Sequence, residues 1–340
     1  MPPNKLYTVA VVGATGMVGR VFLDILVERR FPVKALRLLA TTRSAGRKIL
    51  VGDQEIEVEV TTNESFAGAD FVFISASGEA SRQYCPIAAK AGAVAIDDSS
   101  AWRMDPRVPL VVPEVNADDV KRHEGIIAIP NCSTTPLVMC LWPIHRVNPI
   151  KRIIADTYQS VSGTGKAAVD ELNTQSGQVL EGKGVVPHVY PHQIAFNLLP
   201  HIDVFMDDGY TKEEWKMVNE TRKIMHDDSI AVSATCVRVP VMISHSEAVH
   251  IELSHPMSPD DVRDILMEAP GVTVQDEPSV NLYPQPWAAA GLDDVFVGRI
   301  RKDASHPNGI AMWIVSDNLR KGAATNAIQI AEELVNRNLV

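Results

Sequence analysis

Hydrophobic and polar positions follow two different rhythms along this chain. Near the start, unbroken apolar runs such as Tyr7-Thr8-Val9-Ala10-Val11-Val12 give way to stretches where apolar residues recur at helical spacing, first at Val18, Val21, Phe22, Ile25 and Leu26. Unbroken runs predict strands buried on both faces, and the helical recurrence predicts helices laid over them. Phe31-Pro32 stops the first helix. A strand at 35–40, another at 71–75, a helix near 79–90 and strands at 94–97 and 126–129 continue the alternation. Together they predict a doubly wound, parallel α/β domain.

Beyond residue 132 the rhythm shortens to period two at 153–162 and 248–254, and a run at 295–301 joins another at 310–315 across a loop. The last two runs flank Asn308-Gly309, a hairpin signal, so an antiparallel arrangement is expected. A long helix after Gly165, an irregular Pro-containing stretch from Gly182 to Gly209 and a helix opened by the capping box Thr211-Lys212-Glu213-Glu214 complete an α+β domain. The final helix carries Ala324, Ala327, Ile328, Ala331, Leu334 and Val335 on one stripe and is expected to pack on the first domain. The expected division is 1–131 plus 318–340 for the first domain and 132–317 for the second, whose sheet should be mainly antiparallel.

Composition narrows the function. With 46% apolar and 22% charged residues, a chain of 340 residues buries a large core and divides into about two domains. A net charge of -10 argues against nucleic acid or an anionic membrane as partner, since either needs a basic surface. Cys85, Cys132, Cys140 and Cys236 show neither CxxC spacing nor the density of a disulfide scaffold, which fits a reducing cytoplasm. The first apolar run is too short for a signal-peptide core and no run reaches the length of a membrane span, so a cytoplasmic location is expected.

One cysteine stands apart. Pro130-Asn131-Cys132-Ser133-Thr134-Thr135-Pro136 sets Cys132 between a strand and an apolar helix, with Thr135 expected as the cap and Pro136 in the first turn. The positive end of a helix dipole favours thiolate, and first-turn N–H groups can stabilise an oxyanion, as acyl transfer requires. The alternative is a small buried hydrophobe. Gly13-Ala14-Thr15-Gly16-Met17-Val18-Gly19 follows a strand and opens a helix, where glycines let a pyrophosphate approach backbone N–H groups, as in a Rossmann turn. Gly13, Thr15, Gly16, Met17 and Val18 are therefore candidate cofactor residues. No acidic residue between Glu28 and Asp53 is available for the ribose hydroxyls of NAD, whereas Arg43 and Ser44 suit the 2′-phosphate of NADP.

Other signals fail on inspection. No tyrosine is followed four residues later by lysine, which disfavours a short-chain dehydrogenase. Ser162-Gly163-Thr164-Gly165-Lys166 resembles a P-loop, but Ser160 and Ala167 occupy two of its required positions. His188 and His192 are spaced like a helical metal pair, yet Pro187 and Pro191 argue against a helix, so no metal is expected.

Cys132 in Pro-Asn-Cys-Ser-Thr-Thr, the glycine turn, Ala40-Thr41-Thr42-Arg43-Ser44-Ala45-Gly46, Gln159-Ser160-Val161-Ser162-Gly163-Thr164-Gly165 and the segment from Arg238-Val239-Pro240 to His245-Ser246-Glu247 occur in an order that resembles the aspartate-β-semialdehyde dehydrogenases. The resemblance spans nearly the whole chain. It implies reversible, NADP-dependent conversion of aspartyl-4-phosphate to aspartate semialdehyde and phosphate through a thioester on Cys132, on the route to lysine, threonine, methionine and isoleucine. His245 would be the acid/base. Arg238 would clamp the substrate carboxylate, Gln159 would orient the substrate, Arg103 and Lys216 would hold phosphate, and Glu213 would meet the substrate amine. Ser162, Gly163 and Asn318 would flank the nicotinamide. The second domain would then be catalytic and dimerising, in a homodimer or homotetramer. Rival readings are an N-acetyl-γ-glutamyl-phosphate reductase, whose Gly-Asn-Pro-Gly-Cys signature differs, glyceraldehyde-3-phosphate dehydrogenase, whose Ser-Cys-Thr-Thr-Asn context is absent, and a noncatalytic NADP sensor.

Overall fold

The computed structural model describes residues 5–340. It divides into two compact units, one running to Asn131 and resuming at Ala323–Val340, the other spanning Cys132–Gly322.

The first unit contains β1 (Tyr7–Val12), α1 (Met17–Glu28), β2 (Val33–Ala40), β3 (Lys48–Val51), β4 (Gln54–Val60), β5 (Phe71–Ile74), α2 (Gly78–Lys90), β6 (Val94–Asp97), α3 (Pro113–Asn116) and β7 (Ile126–Ala128). Its seven-stranded sheet has the order β3-β4-β2-β1-β5-β6-β7 and is parallel except for the edge pair β3–β4. The unbroken apolar run of β1 is explained by its two faces. Tyr7, Val9 and Val11 join one core with Phe22 and Ile25, while Ala10 and Val12 join another with Cys85 and Ala88.

The second unit contains α4 (Thr134–Val147), β8 (Ile150–Gln159), α5 (Lys166–Leu180), α6 (Lys212–Met225), β9 (Ala231–Arg238), β10 (His245–Leu253), α7 (Pro259–Met267), β11 (Val272–Val274), α8 (Pro286–Ala289), β12 (Val295–Lys302) and β13 (Gly309–Ser316). A six-stranded sheet, β11-β12-β13-β10-β8-β9, is antiparallel at β12–β13, β13–β10 and β10–β8 and parallel at its two marginal pairs. The sheet is therefore mixed, because β9 and β11, which period two did not mark, add parallel edges. The Asn308-Gly309 hairpin joins β12 to β13 as expected.

The last helix, α9 (Thr325–Asn336), buries Ile328, Ala331 and Leu334 in the first unit's core beside Phe22 and Ile25. The chain returns to that unit at Ala323 instead of 318. Asp317 and Asn318 stay with the second unit because the Asp317 carboxylate accepts from Gly291 N–H at 2.7 Å and the Asn318 side-chain carbonyl accepts from Ser162 Oγ at 3.0 Å.

The capping box of α6 forms with both arms. Glu214 N–H donates to Thr211 Oγ1 at 3.3 Å, and Glu214 Oε2 accepts from Thr211 N–H at 2.7 Å. Glu214 Oε1 also accepts from Cys236 N–H at 3.0 Å, which ties the helix start to β9. Thr211→Ala should cost about 1 kcal/mol, the usual worth of a cap. Glu214→Ala strands two buried donors and should cost more, about 2–4 kcal/mol. Urea unfolding of both variants checks the order, and equal midpoints would show that the link to β9 contributes nothing.

Candidate active site

The local sequence around Cys132 folds slightly differently from expectation. Thr134 already opens α4, and the cap position falls on Ser133, whose backbone is helical at φ -89°, ψ -33° and whose side chain makes no capping bond. Thr135 is thus inside the first turn and is not the cap, and Cys132 immediately precedes the cap. The helix still directs its first-turn N–H groups and positive dipole end towards that region. On the other side, Gly322 packs so closely that a Cβ there would lie 2.9 Å from the Cys132 Cβ. Of the four cysteines, Cys132 alone is not buried, and none forms a disulfide. Burial pushes the Cys85 thiol up to about 12 and raises Cys140 and Cys236 as well.

The sheet register assembles the polar residues. Gln159, the last residue of β8, pairs with Arg238, the last of β9. In β10, Ser246 pairs with Tyr158 and His245 with Ser316 of β13. Continuing that register by one step brings His245 beside Gln159. Three residues from separate stretches of sequence therefore end in one row across adjacent strands.

Their surroundings are tight and dry. Gln159, Arg238 and His245 are buried. Arg238 Nη1 donates to Ser160 O at 2.7 Å, its guanidinium lies 6.0 Å from the centre of the Tyr190 ring, and its Nε has no partner. Gly163 sits against both side chains, for a Cβ there would lie 3.0 Å from Arg238 Nη1 and 3.2 Å from His245 Nε2. His245 Nδ1 accepts from Ser160 N–H at 3.0 Å, while Nε2 is buried without a partner. Burial and the adjacent Arg238 push the imidazole down to about 3, against a smaller opposing pull from Glu213.

Glu213 and Lys216 form the i,i+3 ion pair that their spacing allows, at 2.8 Å. The pair is not a solvated surface bridge: the Glu213 side chain is only 6% exposed, and Asp203 binds the same ammonium at 2.9 Å. Burial by itself would lower Lys216, but Glu213 and Asp203 outweigh it and push the amine up to about 12. Gln159 Nε2 reaches Glu213 Oε1 at 3.3 Å, which links the row to α6. Ser162 and Asn318 are hydrogen-bonded to each other, and Asn318 also accepts from Ser160 Oγ at 3.2 Å and Ser244 N–H at 2.9 Å.

In the first unit, Gly13 has φ +83°, and a Cβ on it would strike Ser75 O at 2.0 Å. A Cβ on Gly19 would strike Gly13 O at 2.3 Å, so this glycine lets α1 approach the turn. The start of α1 has no side-chain cap and no acidic residue in its first turn. A cleft of about 490 Å³ brings Gly13, Thr15 and Gly16 together with Thr41, Arg43 and Ser44. The uncapped helix start and an arginine in the same cleft fit the pyrophosphate and 2′-phosphate of NADP. Met17 and Val18 open α1. Arg103 is also in this unit, buried, with Nη2 donating to Asp98 O at 2.8 Å. Among the described residues, no cluster of His, Cys, Asp and Glu is suited to a metal, and no helix is long and apolar enough to cross a membrane.

Sequence reasoning missed Ser160, Asp203 and Tyr190. Ser160 was visible only as a misplaced P-loop residue. Asp203, in the irregular stretch, carries no local signal for its reach to Lys216.

Comparison with known proteins settles the ancestry of this arrangement. The semialdehyde dehydrogenase NAD-binding domain family matches residues 8–123, and the semialdehyde dehydrogenase dimerisation domain family matches residues 141–321. The aspartate-semialdehyde dehydrogenase of Aquifex aeolicus is 55% identical, over 98% of this chain and 99% of its own length. The chain belongs to the aspartate-semialdehyde dehydrogenase family. The crystal structure of aspartate semialdehyde dehydrogenase II from Vibrio cholerae, complexed with ASA, superposes with a TM-score of 0.95 at 46% identity and covers 98% of this chain and 99% of that one. The Candida albicans enzyme, solved with NADP, gives 0.78 at 27% identity and covers 99% and 100%. Membership in this family makes the chain an oxidoreductase with a nicotinamide-cofactor domain and a domain of the dimerising type.

Two outcomes follow. Iodoacetamide at pH 7 should alkylate Cys132 first, because the other three thiols are buried and held protonated; peptide mapping that finds Cys85, Cys140 or Cys236 modified earlier would contradict the site. Arg43→Ala should weaken NADP by tenfold or more, about 1.5–3 kcal/mol, and leave NAD nearly unchanged, since only NADP carries the extra phosphate. Equal loss for both cofactors, measured by fluorescence titration, would make Arg43 structural.

Proposed function

We propose that this chain catalyses the reversible, NADP-dependent reductive dephosphorylation of L-aspartyl-4-phosphate to L-aspartate-4-semialdehyde and phosphate. The observation that carries the reading is the row of Gln159, Arg238 and His245 in the unit that begins at Cys132. A sensor protein would have no use for a buried arginine with an unpaired Nε beside an imidazole whose buried Nε2 is unpaired.

Cys132 attacks the acyl carbon, phosphate leaves, and a thioester remains. Bound NADPH supplies the hydride that brings the acyl carbon to the aldehyde level. Collapse of the thiohemiacetal then returns the electron pair to the Cys132 sulfur. Arg238 holds the substrate carboxylate through its planar fork, and Gln159 fixes the acyl group against the thiol. Glu213 meets the substrate ammonium. Lys216, kept charged by Glu213 and Asp203, holds phosphate. His245 serves the reacting oxygen. The working form is a homodimer or homotetramer, and the site of action is the cytoplasm.

Formation of NADPH from aspartate semialdehyde and phosphate, followed spectrophotometrically, tests the reading directly; turnover only with N-acetylglutamate semialdehyde or with glyceraldehyde-3-phosphate would replace it. Cys132→Ala should fold, bind NADP and lose turnover, and substantial residual activity would remove the covalent step. Arg238→Lys keeps the charge but not the fork, so KM for aspartate semialdehyde should rise by roughly tenfold or more with a smaller fall in kcat. An unchanged KM would take Arg238 out of substrate binding.

A further inference from the structure

The ammonium of Lys216 is shared between two carboxylates. Its Nζ donates to Glu213 Oε2 at 2.8 Å and to Asp203 Oδ2 at 2.9 Å, and an ammonium has only three donors to give. One cation therefore faces two anions. That is a poor surrounding for an ion with two negative charges, yet Lys216 is the side chain that holds phosphate in the reaction proposed above. The two carboxylates differ in what else they meet. Glu213 also accepts from Gln159 Nε2 at 3.3 Å and lies where the substrate ammonium would compensate it. Asp203, whose side chain is 30% exposed, spends its other oxygen on the Val204 N–H at 2.9 Å.

The fold holds Asp203 in this position. Its backbone is left-handed at φ +67°, a region that Asp and Asn tolerate better than most side chains. On one side of it, Leu199 exchanges both backbone hydrogen bonds with Arg238 at the end of β9, at 2.8 and 3.0 Å. On the other, Lys212 N–H donates to Val204 O at 2.9 Å and Met206 N–H to Tyr210 O at 2.7 Å, so the chain folds back before it enters α6. Trp215 Nε1 then closes on Asp208 Oδ2 at 2.8 Å. Asp203 is thus tied down between β9 and the first turns of α6, and a phosphate on Lys216 meets its charge at every turnover.

We propose that Asp203 sets the phosphate affinity of this site: a fixed negative charge that shares the Lys216 ammonium with phosphate, weakens the hold on it and so favours its release once the acyl group has passed to Cys132. The inference rests on the reaction proposed above and deepens it. Geometry bounds the effect. A phosphate oxygen bonded to the same nitrogen at ~2.8 Å lies within about 6 Å of Asp203 Oδ2, inside the Debye length at physiological salt. Like charges at that range repel, and a dianion feels the repulsion twice over. The help that Asp203 gives Lys216 is the smaller effect. Glu213 is the stronger of the two influences that keep the amine charged, so an ammonium remains when Asp203 is made neutral.

The test is Asp203→Asn in the full-length protein, which removes the charge but keeps the size, the tolerance of a left-handed backbone and an acceptor for the Val204 N–H. Oxidation of aspartate semialdehyde is followed at pH 8, where phosphate is a dianion, with NADP saturating. KM for phosphate should fall about five- to fiftyfold while KM for aspartate semialdehyde stays within about twofold, and calorimetry with inorganic phosphate alone should show the same tightening. Asp203→Ser, run in parallel, should act in the same direction, and Asp203→Glu, which restores the charge, should return the phosphate KM towards wild type. Salt gives an independent arm. A Coulombic effect is screened, so the ratio between wild type and Asp203→Asn should shrink as KCl rises from about 20 mM to about 500 mM. A phosphate KM that is unchanged or raised in both neutral variants overturns the proposal, as does an equal fall in the two KM values or a ratio indifferent to salt. Phosphate bound by Lys216→Ala as tightly as by wild type would place the ion elsewhere and overturn it too. Because calorimetry needs no turnover, these failures are distinguishable from a wild-type protein inert towards aspartate semialdehyde, which would remove the assigned reaction instead.

Discussion

The side-chain carbonyl of Asn318 is the point on which the second unit's polar centre depends. It accepts from Ser160 Oγ, Ser162 Oγ and Ser244 N–H, and so joins the loop after β8, the residue before β10 and the segment after β13. Ser244 has φ +76°, a left-handed conformation that a serine adopts only at a cost of order 1–3 kcal/mol. Asn318 stabilises it by taking the Ser244 N–H. His245 follows directly, and its ring reaches the Ser160 N–H because the same carbonyl holds both loops. Replacing this one acceptor would release three donors and leave the imidazole without a fixed orientation.

Electrostatics constrain the same region from another side. Two unit positive charges ~5 Å apart repel by about 3 kcal/mol even at an effective dielectric of ~20. Arg238 is always charged, so the cheaper state for its neighbour His245 is the neutral ring, and burial adds to that preference. Lys216, whose side chain is 18% exposed, shows the opposite outcome because Glu213 and Asp203 compensate its charge. The partner set of each group thus weighs on its state.

The division between legible and hidden features follows from the range of the forces involved. The glycine turn at Gly13, the capping box at Thr211 and the hairpin at Asn308-Gly309 were readable because their chemistry is local: a positive φ, a helix-start bond, a two-residue turn. Cys132 was readable from the strand and helix on either side, though the cap moved to Ser133 because that residue's backbone had already turned helical. Strands β9 and β11 lacked a clean period-two pattern, and their parallel pairing at the sheet margins was not visible. The row of Gln159, Arg238 and His245 depends on strand register, which no local pattern encodes, and only the family resemblance joined these residues in advance. Ser160 was hidden for another reason. Its decisive group is a backbone N–H, which every residue but proline possesses.

Close backbone approach is what these features have in common. Gly163 admits Arg238 and His245 against the same stretch of main chain, and Gly322 admits Cys132. A methyl group at Gly163 would press on the Arg238 and His245 side chains, and one at Gly322 would press on the Cys132 side chain and backbone. Burial of the other three cysteines works in the complementary sense: the core takes thiols freely as small apolar groups and keeps them protonated, so the one cysteine left accessible is the one that a turn, and not a packed helix or strand, presents.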